Sequence, residues 1–220
     1  MAHSSAVVAL VTDFGLTDPY AGIMKGVIAR INPEATIVDL THGVPPGDVR
    51  AGAFALLSAW RYFPSGCVFV AVVDPGVGTS RRALVASGES ATFVGPDNGV
   101  LSWALADQAK DTVEVRVLSR SEYWLPAISS TFHGRDIFAP VAAHLTRGVS
   151  PIDLGDPVAD FARLPLPRPE QRDDGSLRGQ VIVVDHFGNL ITDIRPVDLA
   201  GLGAPATFTV AGRTITELRH

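Results

Sequence analysis

Residues 68–73, Val-Phe-Val-Ala-Val-Val, form an uninterrupted apolar run that constrains the fold more than any other part of the chain. The run is rich in β-branched residues and far too short for a membrane-spanning helix. Such a run is typical of a strand that is buried on both faces of a parallel sheet. It ends at Asp74-Pro-Gly, and Arg81 lies in the loop that follows. Because open α/β sheets bind ligands at the carboxyl ends of their strands, we expect Asp74 and Arg81 to belong to an active site.

The chain before this run alternates between strand and helix signals. Residues 6–12 and 36–40 predict two further strands. Between them, Asp18-Pro19 predicts a helix start, with Asp18 as the N-cap and proline at the first helical position. A second helix is predicted from about residue 48 to 62. The resulting strand-helix-strand-helix-strand order predicts parallel strands with right-handed crossovers.

The chain after residue 82 changes character. Residues 83–87 and 92–95 predict a hairpin around Gly88-Glu89. A short helix (residues 100–106), a half-exposed strand (113–118) and a helical stretch (131–147) are predicted to follow. The sequence therefore predicts an α/β domain over residues 1–165, with a parallel or mixed sheet that is flanked by helices.

The C-terminal part of the chain predicts a second, smaller domain. Residues 166–178 are rich in proline, arginine and aspartate and show little periodicity, which favours a linker. Within residues 179–220, three segments are strand-like: 180–185, 190–194 and 206–218. Ala211-Gly212 is a plausible hairpin turn in the last of them. These patterns predict a small all-β domain.

Composition and charge exclude several classes of function. The net charge is −5 and no basic block exceeds two residues, which argues against nucleic-acid binding. The single cysteine, Cys67, excludes an intrachain disulfide and favours a reducing compartment. We find no N-terminal signal pattern and no apolar run of bilayer-spanning length. We therefore expect a soluble, cytoplasmic protein that binds neither nucleic acid nor a membrane.

The chain can be compared with three familiar kinds of site, and it matches none of them. Asp13-Phe-Gly and His133-Gly-Arg-Asp resemble kinase motifs, but their order is reversed and no glycine-rich loop or lysine-bearing strand precedes them. Gly76-Val-Gly lacks the spacing and the lysine of a phosphate-binding P-loop. The histidines lack the spacings of a zinc site. We therefore predict neither a metal site nor a cofactor.

A set of polar residues at strand ends and loop corners remains as candidate site residues: Asp13, Asp18, Asp74, Arg81, Asp97, Asn98, His133, Asp185 and Asn189. Taken singly, each is more often a turn former or a helix cap. We assign Asp97 and Asn98 mostly to turns, and for His42 a structural hydrogen-bonding role is as good an interpretation as a functional one. Asp74 and His133 are stronger candidates, because each lies between a clear hydrophobic element and a glycine.

Five motifs that occur in one order are specific when taken together: Thr12-Asp-Phe-Gly-Leu-Thr-Asp18, Val73-Asp-Pro-Gly-Val-Gly-Thr-Ser-Arg81, Gly95-Pro-Asp-Asn-Gly99, Thr131-Phe-His-Gly-Arg-Asp136 and Asp185-His-Phe-Gly-Asn189. In this combination the chain closely resembles the S-adenosyl-L-methionine (SAM) hydroxide adenosyltransferases, or SAM hydrolases, which are relatives of the fluorinase and chlorinase. The resemblance spans nearly the whole chain.

The resemblance implies an activity and a set of site residues. It implies cleavage of SAM at the ribose C5′ by water or hydroxide, giving adenosine and L-methionine, with no cofactor. It also implies a catalytic set, which maps onto Asp74, Arg81 and His133. The substrate contacts that it implies are Asp13 at the ribose hydroxyls, Asp18 and Asp185 near the methionine end, and Phe187 and Asn189 near the adenine.

The resemblance further implies a homotrimer, in which each site lies between the α/β domain of one subunit and the β domain of its neighbour. The halogenating relatives lack the Asp-and-His pair, and the fluorinase carries a serine in place of Gly134. Asp74 with His133 therefore favours the hydrolase pattern. Family members continue past the position that matches His220, so we expect the C-terminal β domain of this sequence to be incomplete.

The proposed chemistry is compatible with these residue types. A neutral thioether leaves from a sulfonium, so the reaction needs neither a general acid nor a metal. Holding water, with a pKa of about 15.7, as hydroxide near pH 7 requires a shift of about 9 units, or about 12 kcal/mol. Water that loses its proton as it attacks is therefore favoured over a resident hydroxide. His133 would contact that water as base or donor, Arg81 would stabilise negative charge, and Asp74 would orient the partners or accept the proton.

Three other functions remain open from the sequence. A halogenase of the same family would use the same fold with a different nucleophile. A metal-dependent phosphoesterase could use acidic residues at strand ends. A non-catalytic module could bind adenosine or SAM without turning it over.

Overall fold

The computed structural model describes residues 6–108, 112–200 and 207–215. The chain divides into two compact units between Leu164 and Pro165. Within the described residues, no helix combines the length and the apolar character that crossing a membrane requires.

The first unit is built on a six-stranded sheet with the strand order β2-β1-β3-β5-β4-β6. The strands are β1 (Val7–Thr12), β2 (Thr36–Thr41), β3 (Cys67–Val72), β4 (Ala83–Ser87), β5 (Ala91–Pro96) and β6 (Glu114–Val117). The first three are parallel to one another, as predicted, and β5 is parallel to β3. Strand β4 runs antiparallel to both β5 and β6, which makes the sheet mixed and confirms the predicted β4–β5 hairpin.

Helices cover both faces of this sheet. They are α1 (Tyr20–Ile31), α2 (Val49–Ala59), α3 (Ser102–Ala106) and α4 (Ala139–Thr146). Because side chains alternate along a strand, Val8 and Leu10 of β1 pack on the side of α1 and α4, whereas Ala9 packs on the side of α2 and α3. All six residues of β3 are buried, so this strand is covered on both faces as the sequence predicts.

The predicted helix boundaries need two corrections. Helix α1 begins at Tyr20, and Pro19 rather than Asp18 occupies the N-cap position, because the Pro19 carbonyl already accepts the amide proton of Ile23. No side-chain hydrogen bond caps this helix. The second predicted helix ends at Ala59 and continues only as a 3₁₀ turn over Trp60–Tyr62.

A π-helical turn, Gly134–Phe138, precedes α4. The sequence predicts one continuous helical stretch here and gives no sign of the wider turn. Pro140 falls in the first turn of α4, where its missing amide proton costs nothing. Such π turns are frequently found at functional sites, and this one begins directly after His133.

Within residues 165–200 and 207–215, the second unit contains three short hairpins and a one-turn helix. The strands are β7 (Glu170–Gln171), β8 (Leu177–Arg178), β9 (Val181–Val184), β10 (Leu190–Thr192), β11 (Phe208–Val210) and β12 (Arg213–Ile215), and the helix is α5 (Pro196–Leu199). Ala211 and Gly212 both have positive φ, as the predicted hairpin turn requires. The outer parts of the predicted 206–218 segment, residue 206 and residues 216–218, lie outside the described residues.

The β7–β8 hairpin lies within the segment that the sequence interprets as a linker. Its turn is held by local contacts: the Gly175 amide donates to the Arg172 carbonyl, and the Asp174 carboxylate accepts from the Ser176 amide. Each strand has only two residues, which is too short to show an alternating pattern. The sequence therefore missed this hairpin.

Candidate active site

The loop after β3 folds back on itself and brings Arg81 onto Asp74. The Val77 amide donates to the Asp74 carbonyl, and Thr79 donates to the Gly76 carbonyl from both its amide and its hydroxyl. The Arg81 Nε donates to both carboxylate oxygens of Asp74, at 3.0 and 2.9 Å, and its Nη2 donates to Oδ2. The two side chains are only 5% (Asp74) and 9% (Arg81) exposed, so this is a largely desolvated ion pair.

Arg81 also links Asp74 to His133. Its Nη2 lies 2.7 Å from Nδ1 of His133, and its guanidinium lies over the ring of buried Phe138, 5.4 Å from the ring centroid. His133 stands at the start of the π turn, so its position is set by a different part of the chain from the β3 loop. Three residues that are distant in sequence therefore form one hydrogen-bonded chain, Asp74–Arg81–His133.

The protonation state of His133 follows from its surroundings. Burial and the positive charge of Arg81 lower the pKa of the imidazole, and Asp74, the Ser129 backbone and Asp136 only partly oppose this. The ring is therefore neutral at pH 7. Arginine can only donate hydrogen bonds, so Nδ1 accepts, and a neutral ring then carries its proton on Nε2.

A cavity of about 300 Å³ opens at the carboxyl ends of β1 and β3. Its lining residues are Asp13, Phe14, Gly47, Val72, Asp74, Pro75, Val77, Thr131, Phe132, His133 and Gly134. The volume is at the lower end of the range for small-molecule sites. The cavity combines two carboxylates and one imidazole with an apolar wall, which is a composition suited to a polar, cationic organic ligand.

The loops around this cavity are fixed by hydrogen bonds. The Asp13 Oδ2 accepts from the Gly47 amide at 2.8 Å, which ties the loop after β1 to the loop after β2. The rings of Phe14 and Phe132 meet edge to face at 5.7 Å, and Tyr20 contacts both rings. These contacts connect the loops that line the cavity to one another.

The structure brings some of the predicted site residues together and leaves others apart. Asp13, Asp74 and His133 line one cavity, and Arg81 lies beside it through its bonds to the last two. Asp18 is exposed on the loop before α1 and is outside the set of residues that line the cavity. Its proposed substrate contact stays a prediction.

The remaining predicted residues lie in the second unit, in the loop between β9 and β10. Oδ1 of Asp185 accepts from the amides of Phe187 and Asn189, at 2.9 and 2.8 Å, and Asn189 Nδ2 donates to Asp185 Oδ2 at 2.7 Å. The Asp185 and Asn189 side chains thus hold the loop itself. The Phe187 side chain is left 86% exposed, which is an unusual state for a large aromatic residue.

Sequence reasoning missed a chain of polar groups that runs from the buried Thr12 and His42 to the exposed Asp39. Thr12 Oγ1 donates to Nδ1 of His42 at 2.8 Å, and His42 Nε2 lies 3.0 Å from Oδ1 of Asp39. The same threonine oxygen accepts from the Phe14 amide, and the His42 carbonyl accepts from the Gly15 amide. His42 therefore has the structural role that the sequence left open, holding the loop that carries Asp13.

Asp97 and Asn98 also have structural roles. Asp97 pairs with Arg82 at 2.7 Å, and its other oxygen accepts from the Ala162 amide. Asn98 Nδ2 donates to the Val73 carbonyl at 2.8 Å, immediately before Asp74. Asn98 thus fixes the end of the strand that leads into the site.

Gly134 lies where the cavity wall is tightest. A Cβ at this position would stand 3.1 Å from Sδ of Met24 and 3.4 Å from the rings of Phe14 and Phe132. A larger residue therefore requires those side chains to shift. This is the position at which the resemblance implies a serine in the fluorinase.

No group of three or more histidine, cysteine, aspartate or glutamate side chains is arranged to hold a metal ion within residues 6–108, 112–200 and 207–215. A second cavity of about 370 Å³ lies at the opposite edge of the sheet, near the start of β3 and β5. Its charged residues Arg61 and Asp107 are paired with each other at 2.6 Å, and it contains none of the predicted site residues.

Comparison with known proteins identifies the family. The family model described as the SAM hydroxide adenosyltransferase N-terminal domain matches residues 8–155, and that of the C-terminal domain matches residues 179–220. The chain belongs to the SAM hydroxide adenosyltransferase family. The relationship that the five ordered motifs predict is therefore confirmed.

Individual relatives agree with this assignment. An (R)-S-adenosyl-L-methionine hydrolase from Thermus thermophilus is 44% identical over 216 residues, which cover 94% of this chain and 80% of that protein. A fluorinase from an Actinoplanes species is 30% identical over 230 residues, covering 92% of this chain and 76% of that protein. The crystal structure of an uncharacterized conserved protein from Thermotoga maritima, 43% identical, superposes with a TM-score of 0.79 over 87% of this chain and 72% of that one.

Proposed function

We propose that this protein hydrolyses SAM at the ribose C5′ and releases adenosine and L-methionine. The observation that carries the proposal is the desolvated Asp74–Arg81–His133 chain at the edge of a cavity, in a member of the SAM hydroxide adenosyltransferase family. The similarity to a SAM hydrolase over 94% of the chain supports the same substrate.

The reaction that this site is proposed to perform is a substitution at carbon. The oxygen of water forms a bond to C5′ while the C5′–S bond breaks. The electron pair of the broken bond stays on sulfur and neutralises the sulfonium. The products are adenosine, methionine and one proton. Because the thioether leaves as a neutral molecule, the demand on the protein falls on positioning the water and accepting its proton.

The geometry favours Asp74 over His133 as the acceptor of that proton. The basic Nδ1 of His133 is occupied by Arg81, so the imidazole presents Nε2–H and acts as a hydrogen-bond donor. The Asp74 carboxylate lines the same cavity and is the one that Arg81 joins to His133. General-base assistance of this kind contributes about 10²- to 10⁴-fold, and alignment of water, C5′ and sulfur supplies much of the remainder.

Substrate contacts are proposed on the same basis. The Asp13 carboxylate, held by the Gly47 amide, would bind the ribose hydroxyls. The edge of the cavity formed by Phe14 and Phe132 would face the sulfonium, since aromatic rings attract cations. Asp18 and Asp185 at the methionine end, and Phe187 and Asn189 at the adenine, complete the proposed set of contacts.

The oligomeric state is part of the proposal. We propose a homotrimer in which the β9–β10 loop of one subunit contacts the substrate that is held by the cavity of another. The exposure of Phe187 supports this arrangement, because an aromatic ring that is 86% exposed is available to a ligand or a neighbouring subunit.

A halogenase of the same family is the second candidate, and the similarity to a fluorinase at 30% identity supports it. Both reactions attack C5′ and release methionine, so they differ in the nucleophile. The presence of both Asp74 and His133 in the cavity favours water, because a halide ion needs neither a proton acceptor nor an orienting carboxylate.

Product analysis distinguishes these functions. The protein is incubated with SAM in a buffer that contains a chelator, with and without chloride or fluoride, and the products are separated by chromatography and weighed by mass spectrometry. We expect equal amounts of adenosine and methionine that do not depend on halide. Formation of a 5′-halo-5′-deoxyadenosine would support the halogenase. Tight SAM binding in calorimetry without product would instead support a binding module.

A further inference from the structure

Asp136 is a fully buried carboxylate that the proposed chemistry does not use. Its Oδ1 accepts from Nε of Arg135 at 2.5 Å, and its Oδ2 accepts from Nη2 of the same arginine at 3.1 Å. Oδ2 also accepts from the backbone amide of Ser129 at 2.8 Å. The carboxylate therefore joins the π turn to the loop of residues 125–131 that precedes it.

Asp136 stays ionised despite its burial. Burial raises the pKa of the carboxyl, but the hydrogen bonds from Arg135 and Ser129 lower it by more than burial raises it. The pKa of Asp136 is therefore below the ordinary value. Hydrogen bonds to a charged acceptor are about twice as strong as neutral ones. The Ser129 amide is consequently held by one of the stronger contacts in this part of the protein.

The 125–131 loop is tied at three points to the π turn and to the residue before His133. The Leu125 amide donates to the Asp136 carbonyl at 2.9 Å, and the Ser129 amide donates to the Asp136 carboxylate. The Ser129 hydroxyl oxygen accepts from the Phe132 amide at 3.0 Å, one residue before His133. Two of these three contacts are made by Asp136.

This loop is in contact with both halves of the candidate site. Its last residue, Thr131, lines the cavity, and Ser129 holds the Phe132 amide directly before His133 and lies close enough for its backbone to raise the pKa of the imidazole. On the other side, a Cβ at Gly78 would lie only 2.2 Å from the Ser130 carbonyl oxygen. The loop is therefore packed directly against the β3 loop that carries Asp74 and Arg81.

We propose that Asp136 is a positioning residue for the reaction: by holding Ser129, it fixes the His133 ring with Nδ1 toward Arg81 and Nε2–H toward the opposite side. The mechanistic part of this inference rests on the proposed function. The alternative is a purely structural role, in which the Arg135–Asp136 pair only stabilises the fold. The two roles differ in whether loss of the carboxylate changes the orientation and protonation of His133.

The test compares Asp136→Asn with a matched control, Asp107→Asn. Asp107 is also paired with an arginine, Arg61, and also accepts from a second donor, Trp60 Nε1, but it lies at the opposite edge of the sheet. Both variants lose an arginine-paired carboxylate. We expect Asp136→Asn to lower kcat by about 10- to 100-fold with KM changed less than about threefold, since a displacement near 1 Å can cost about 10²-fold. Asp107→Asn is expected to keep near-normal kcat.

The decisive readout is the ¹⁵N NMR spectrum of the histidine rings without substrate, with His133 assigned through His133→Gln. We expect the wild type and Asp107→Asn to show His133 as the Nε2–H tautomer. Asp136→Asn is expected to show a mixture of tautomers. An unchanged His133 spectrum in folded Asp136→Asn would overturn the proposal, whether or not the protein hydrolyses SAM.

Ser129→Ala provides a second route if Asp136→Asn folds poorly. It removes the hydroxyl that accepts from the Phe132 amide but leaves the Arg135–Asp136 pair in place. Because the Ser129 amide still donates to Asp136 in this variant, the positioning role predicts that His133 keeps the wild-type Nε2–H tautomer, and a mixture of tautomers would contradict it. Loss of SAM turnover in every form, including the wild type, would instead count against the proposed function.

Discussion

Arg81 donates from Nη2 to Nδ1 of His133 across 2.7 Å, and this contact decides how the imidazole takes part in chemistry. Because a guanidinium cannot accept a hydrogen bond, the nitrogen that faces it must be unprotonated. In the proposed reaction the imidazole therefore acts through Nε2–H as a hydrogen-bond donor and not as a base. Asp74, which accepts from Nε and Nη2 of the same guanidinium, is the proposed acceptor of the proton that water loses.

The first prediction concerns Asp74 and has a matched control in Asp97. Both aspartates form short ion pairs with neighbouring arginines, Arg81 and Arg82, but only Asp74 lines the cavity. We expect Asp74→Asn to lower kcat by about 10²- to 10⁴-fold, because it removes the proton acceptor. Asp97→Asn should keep kcat within about threefold. Steady-state rates of adenosine formation measure both; equal effects of the two substitutions would remove Asp74 from the mechanism.

The second prediction is a pH dependence that arises from His133. Its pKa lies below the ordinary value, and protonation would place a cationic ring against Arg81 and remove the Nδ1 acceptor. We expect kcat/KM to be level near neutral pH and to fall on the acid side, with a midpoint below about 6.5. Rates measured over pH in the wild type and in His133→Gln test this. The acid limb should be absent from the variant, and a midpoint above 6.5 would contradict the account.

The lowered pKa of His133 also makes the free energy of unfolding depend on pH. The unfolded chain takes up the His133 proton at a higher pH than the folded chain does, so between the two pKa values the unfolded state binds more protons. The contribution to stability is therefore complete above about pH 6.5 and is lost as the pH falls through the folded-state pKa. Denaturation midpoints of the wild type and His133→Gln should converge on acidification.

The third prediction concerns the contact between the β3 loop and the 125–131 loop. Gly78 has φ +78°, and a Cβ there would meet the Ser130 carbonyl at 2.2 Å, whereas Gly148 has φ +91° with nothing within 4 Å of its Cβ. Gly148→Ala should cost about 1–2 kcal/mol from backbone strain alone. Gly78→Ala should cost about 1–3 kcal/mol more, because the loops must separate. Chemical denaturation compares the two; equal losses would show that the contact is not tight.

The fourth prediction tests the proposed trimer by complementation. Asp74→Asn removes a residue of the first unit, and Phe187→Ala removes the exposed ring of the second, whose stacking on a base is worth about 1–3 kcal/mol. If a site combines one cavity with a neighbouring subunit's β9–β10 loop, roughly a quarter of the sites in a randomly mixed 1:1 assembly are unmutated.

We therefore expect co-refolded mixtures of the two variants to recover about a quarter of wild-type activity. As the control, each variant is refolded by itself and the two assembled samples are then mixed. The activity of this mixture should be the average of the two separate activities. Light scattering gives the mass of each assembly. If the activity of the co-refolded mixture does not exceed this average, the whole site lies within one subunit.

Much of the first unit could be predicted because its signals are local. The apolar run that becomes β3 is long enough to specify a buried strand, and its acidic end specifies where a ligand binds in such a sheet. The pairing of Asp74 with Arg81 is also nearly local, since Arg81 is only seven positions after Asp74. These inferences needed only periodicity and the general rules of α/β sheets.

The features that could not be predicted depend on contacts between distant segments. The chain of Thr12, His42 and Asp39 forms only when two strands are placed side by side, and His42 alone gives no sign of it. The π turn before α4 is hydrogen-bonded through Asp136 to the 125–131 loop, a contact that no helical periodicity indicates. The predicted N-cap of α1, Asp18, is one residue before the observed one, because the Pro19 carbonyl accepts the first hydrogen bond of the helix.

The most direct test of the central claim is the origin of the oxygen in the product. The protein is supplied with SAM in ¹⁸O-enriched water, and adenosine and methionine are analysed by mass spectrometry. Attack of water on C5′ predicts one ¹⁸O atom in the 5′-hydroxyl of adenosine and none in methionine beyond slow background exchange. Adenosine that lacks the label, or no adenosine above the level given by Asp74→Asn, would contradict it.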